Sequence, residues 1–116
     1  MILTSLALAM ALNMAAMKGD PQDDARKAFN NCLVKEHNDA VEAKKSGSEF
    51  NDQVAASCLE TRKTYHDLIV KAELGFKSKP ADAEEFAKEE IQAVIDSITS
   101  QFGDNVASGA KLQPEK

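Results

Sequence analysis

Thiol chemistry is the first to consider, because the chain has two cysteines, Cys32 and Cys58. A redox pair usually takes the form Cys-x-x-Cys at a helix N-terminus, where the dipole lowers the thiol pKa. These two are 26 positions apart, and each falls inside an apolar stripe of helical period. That placement points to a structural disulfide, as an oxidising compartment permits. Metal thiolates would need further ligands at suitable spacing, and none is present.

The two histidines are the next candidates. His37 stands in Lys35-Glu36-His37-Asn38-Asp39, and His66 precedes Asp67. Neither has the His-x-x-x-His or Glu-x-x-His spacing that aims two ligands from one helix face. Each is therefore expected to be exposed or locally paired. The acidic run Asp82, Glu84, Glu85, Glu89 and Glu90 reads as a solvated helix face, without calcium-loop spacing. No phosphate-cradling glycine loop, nucleophile elbow or zinc cluster occurs in the sequence. No catalytic residue, metal ligand or cofactor is assigned, and the chain is not expected to be an enzyme.

Helices must position these groups. Ala25, Phe29, Cys32, Glu36, Ala40 and Ala43 recur at steps of three and four, so they share one helix face. Phe50, Val54, Cys58, Thr61, Tyr65, Leu68 and Ala72 do the same. Asp20-Pro21 is a helix start: Asp20 caps, and Pro21 suits the first helical position. Gly47 is the expected stop of that arm, Ser48 the cap of the second, and Gly75 its end. An antiparallel hairpin with Cys32 opposite Cys58 would set Phe29 near Thr61, Tyr65 near Ala25 and Phe50 near Ala40. It would keep His37 away from His66 and bring His66 toward Asp23 and Asp24.

A third helix is expected from Pro80 to Gly103. Its stripe is Ala83, Phe86, Ala87, Ile91, Val94, Ile95, Ile98 and Phe102. It is wider than one seam requires, so Phe86, Ile91, Ile95, Ile98 and Phe102 form the candidate interaction face. The predicted architecture is all-α: three helices, a hairpin pinned by one disulfide, and the third amphipathic helix packed across it. So small a core usually needs a staple.

Residues 1–16 read as a signal peptide, an uncharged apolar stretch followed by small residues. An uncleaved anchor and a buried N-terminal helix are the alternatives. Residues 17–103 then form a single helical domain, and 104–116 a flexible tail. Lys and Arg number 14 against 19 Asp and Glu, for a net charge of −5. That balance, with no basic stripe, argues against nucleic acid. No integral membrane span is expected after cleavage.

The pattern Ala28-Phe29-x-x-Cys32-Leu33, then Phe50 and Cys58, Tyr65, Ala83-Glu84 and Glu90-Ile91, resembles a group of small uncharacterised exported two-cysteine helical proteins of alphaproteobacteria. The resemblance spans about residues 25–102. It implies export and a paired-cysteine helical fold, and no activity. The expected function is that of a non-enzymatic periplasmic or secreted protein, acting through protein–protein contact or self-association with an unknown partner or a second copy. The alternative is a carrier or sensor of a small ligand or cation.

Overall fold

The structure is a computed structural model, and it describes residues 20–116. The expected signal peptide, 1–16, and the first residues of the expected domain lie outside the described residues. Among the described residues the regular structure is all helical: α1 Pro21–Glu42, α2 Gly47–Ala56, α3 Leu59–Gly75 and α4 Pro80–Asn105.

Asp20 caps α1 as expected, its side chain accepting from the Gln22 amide, with Pro21 in the first turn. The apolar face buries Phe29, Leu33, Val34, Ala40 and Val41. Opposite it, the second arm is two helices rather than one. The chain is extended at Ser57 and enters the left-handed region at Cys58, with φ 58°. Helical spacing runs unbroken through this point, and no glycine or proline marks it. That is why the sequence predicts three helices where the described residues form four. Local hydrogen bonds and the cross-link hold the break. Thr61 Oγ1 donates to the Cys58 carbonyl at 3.1 Å. Arg62 Nη2 donates at 3.1 Å to the carbonyl of Val54, near the end of α2. The disulfide Cys32–Cys58, with a Cα–Cα distance of 6.0 Å, ties this joint to the middle of α1. A left-handed non-glycine residue costs about 1–2 kcal/mol, which this bonding must offset.

The helix ends also differ from expectation. Gly47 is the first residue of α2, and the cap is Ser46. Ser46 and Glu49 form a reciprocal capping box: the Glu49 amide donates to Ser46 Oγ, and the Ser46 amide donates to the Glu49 carboxylate. The left-handed stop after α1 is Lys44, φ 54°, where Lys45 N–H closes back onto the Ala40 carbonyl. The stop after α3 is Lys77, φ 66°, with Ser78 N–H on the Glu73 carbonyl. These closures satisfy orphan carbonyls, so the motif tolerates a lysine where glycine is commoner. Gly103 lies inside α4, and the glycine that does turn the chain is Gly109, φ 77°.

α4 is 26 residues long, about 39 Å at 1.5 Å per residue. Its first half packs on α3 and its second half on α2 and α1. Phe102 stacks on Phe50 with ring centroids 4.3 Å apart, and Phe29 meets Tyr65 at 6.3 Å. The latter contact lies within one turn of the expected hairpin register. Ile98 and Phe102 are thus core residues, not surface.

Residues 106–116 are not a free tail. They form a strap along α1, anchored by three of its side chains. The Asn38 amide group both donates to the Leu112 carbonyl and accepts from its N–H. Asn31 does the same with the backbone of Glu115. Arg26 makes a two-pronged pair with the Glu115 carboxylate at 2.8 and 3.0 Å. Val106 and Leu112 pack against the core. The sequence shows mostly small, polar and turn-forming residues here with one Val and one Leu, and the matching asparagines are 74 and 84 positions away.

Candidate functional site

His37 is fully buried, not exposed, and it is the one buried polar residue of the core among the described residues. Its ring stands edge-on to Phe50 and Phe102, at 6.2 and 5.9 Å. The Leu112 backbone fixes the Asn38 amide, because Oδ1 must accept from N–H and Nδ2 must donate to the carbonyl. His37 Nδ1, 2.8 Å from that Oδ1, therefore carries the proton. Nε2 is left to accept from Asn105 Nδ2 at 3.3 Å. Both ring nitrogens are used in joining α1, the end of α4 and the strap. This arrangement is structural, since neither nitrogen is free to exchange a proton with a substrate.

His66 lies far from His37 in the fold. Its partners are Asp67 at 2.9 Å and Glu84 at 2.7 Å, not Asp23 and Asp24. Asp23 instead pairs with Arg26 and Lys27. The break at Cys58 separates the arm into two helices, and α4 supplies Glu84 where the hairpin alone would have offered α1. The Asp67 and then the Glu84 carboxylate hold the His66 pKa above its ordinary value. Lys63 and His66 hold Asp67 below the usual carboxylate range.

Beside His66 runs a groove between α4 and the α2–α3 joint. Toward α2 it opens into a depression of about 370 Å³, bounded by Asn51, Val54, Asp96 and Thr99. Toward α3 it opens into one of about 500 Å³, bounded by His66, Glu84, Glu85, Lys88 and Ile91. Arg62, Gln92 and Ile95 line both, so the two depressions adjoin. Ile91 and Ile95 are partly buried there and pack against the core. Such volumes fall in the range of small-molecule sites, about 300–1,000 Å³.

Arg62 is the unusual residue of this groove. Its guanidinium lies over the Phe29 ring, 5.8 Å from the centroid. Apart from the bond to the Val54 carbonyl it has no partner. Nε is closed off from solvent with no hydrogen bond, and it is the one such side-chain atom identified among the described residues. No carboxylate among the described residues comes within ion-pair distance of Arg62. An unsatisfied buried donor costs about 1–3 kcal/mol, and more when charged. Sequence reasoning missed Arg62, because a lone arginine on a helix carries no spacing signal.

Of the expected interaction face, the structure keeps Ile91 and Ile95 together on the groove, buries Ile98 and Phe102 in the core, and leaves Phe86 exposed at 37 %. Cys32 and Cys58 are brought together as predicted. Among the described residues no group of three or more His, Cys, Asp and Glu side chains is placed to hold a metal ion. Among them, too, no helix is long and apolar enough to cross a membrane. No family model, curated protein or solved structure matches this chain.

Proposed function

We propose that the protein is a non-enzymatic, exported carrier of a small ligand, periplasmic or secreted, with the α4 groove as its binding site. The observation that carries this reading is that Arg62 on α3, without an ion-pair partner among the described residues, and Ile91 and Ile95 on α4 face one groove. The groove has the size of a small-molecule site, and its lining mixes apolar Val54, Ile91 and Ile95 with polar Asn51, Arg62, Gln92 and Thr99. The disulfide is the support for export, since such bridges persist in oxidising compartments. The reading assigns no reaction. The test uses a neutral fluorescent naphthylamine, which brightens in apolar surroundings. It should bind the oxidised monomer, and Ile95→Asp should abolish binding while the helical melt persists. A dye that stays dark with the folded wild type refutes the reading.

A second reading is association with a protein partner or a second copy, and a different patch favours it. Phe76 at the α3–α4 corner is 79 % exposed, and Leu74 beside it is 45 % exposed. Sedimentation at rising concentration checks for self-association. Phe76→Ser should shift any dimer to monomer, and a monomer at all concentrations counts against self-pairing there.

A further inference from the structure

We propose that the ligand of the α4 groove is an apolar monocarboxylate, its head held by Arg62 and its chain laid over Ile91 and Ile95. The proposal rests on the small-ligand reading above and adds the ligand's chemical class.

Charge complementarity selects the head group. Arg62 carries a full positive charge and, among the described residues, has the Val54 carbonyl as its one hydrogen-bond partner. Nε is closed off from solvent and Nη2 is bonded to the Val54 carbonyl, which leaves Nη1 as the nitrogen to which a carboxylate oxygen can bond. Two of the three acids that border the groove are engaged elsewhere: Glu84 bonds His66 at 2.7 Å and Asp96 accepts from Gln92 at 2.8 Å, and the third, Glu85, makes no ion pair with Arg62. Residues 1–19 contain no Asp or Glu, so they supply no carboxylate side chain either. No hydrogen bond to Arg62 Nη1 occurs among the described residues, so this nitrogen is available to a ligand head.

The same rim limits the ligand to one negative charge. Glu84, Glu85 and Asp96 border the two depressions, three negative side chains against the one positive charge of Lys88 besides that of Arg62. A phosphate or a dicarboxylate would bring its second charge near these side chains, where like charges repel. The floor selects the tail. Ile91 and Ile95 present apolar surface along successive turns of α4, which a hydrocarbon chain covers and a sugar or amino-acid zwitterion does not.

The experiment titrates the oxidised full chain with decanoate, decanol and decylammonium, watched by two-dimensional NMR and calorimetry. Decanoate is expected to shift the Arg62 side-chain N–H and the amides around Ile95, and to bind at least tenfold more tightly than decanol. Arg62→Gln should weaken decanoate at least tenfold and leave decanol unchanged, with Arg62→Lys between them. Because Arg62 also bonds the α2 end, each variant is first shown to keep the wild-type helical spectrum. The Arg62 N–H shift in the wild type provides a readout that does not depend on variants. Decanol or decylammonium binding in the groove as tightly as decanoate overturns the carboxylate assignment while leaving a small-ligand groove standing. Silence from all three at these resonances overturns the assignment and the small-ligand reading together.

Discussion

Replacing Cys58 with serine removes the cross-link while keeping a small polar side chain at a left-handed position. The bridge closes a chain separation of 26 residues. In the chain-entropy description that closure is worth about 3.5 kcal/mol at 25 °C. For a domain of this size each kcal/mol moves the midpoint by about 4–8 °C, so the expected loss is about 14–28 °C. The serine stays in the φ 58° region at much the same conformational cost as cysteine, so Cys58→Ser isolates the bridge. Cys58→Gly removes the bridge and relieves that conformation, so it should be more stable than Cys58→Ser by about 1 kcal/mol. Chemical denaturation in oxidising and reducing buffer is the assay. Wild type should fall to the level of Cys58→Ser on reduction, and the variant should not respond to reductant. Equal midpoints for wild type and Cys58→Ser in oxidising buffer would refute the staple. Cys58→Gly no more stable than Cys58→Ser would refute the account of the joint.

Three shorter predictions test the other elements. Ser46→Ala should cost about 1 kcal/mol by opening the capping box of α2, read as a lower denaturant midpoint at unchanged slope. Asn38→Ala frees Leu112 and leaves His37 Nδ1 buried without an acceptor, for a loss of about 1–3 kcal/mol. Faster amide exchange across 110–116 than in the wild type should accompany it, and protection equal to wild type there would contradict the strap. His66→Gln tests the ion pair with Asp67 and Glu84. A histidine whose folded pKa is raised contributes stability fully below its unfolded value of about 6.5 and loses it as pH rises through the folded value. The variant should therefore be destabilised by about 0.2–1 kcal/mol near pH 5 and match the wild type near pH 9. A difference that grows with pH would reverse the sign of the argument.

How much was legible varies with the range of the forces involved. Asp20 and Pro21 start a helix because the capping bond and the fixed proline φ involve only the residues beside them. The helical class and the partnership of Cys32 with Cys58 follow from periodicity and from a pair with no competitors. The groove was half visible: Ile91 and Ile95 stood in a stripe, whereas nothing in the sequence separates them from Ile98 and Phe102, which α1 and α2 cover. Arg62 acquires its meaning only where the α2–α3 joint, Phe29 and α4 surround it.

The sequence by itself determined the period of the apolar residues, the start of α1 and the staple, because each depends on bonds or spacing within a helical turn or on a unique thiol pair. Tertiary structure decided the break at Cys58, the left-handed lysines at Lys44 and Lys77, the burial of His37 and the docking of 106–116. In these places the preference of one residue is small, about 1–2 kcal/mol for a left-handed turn. The bonds and packing that outweigh it come from distant parts of the chain. Of the glycines that offered easy stops, Gly75 does end α3, whereas Gly47 opens α2 and Gly103 lies inside α4.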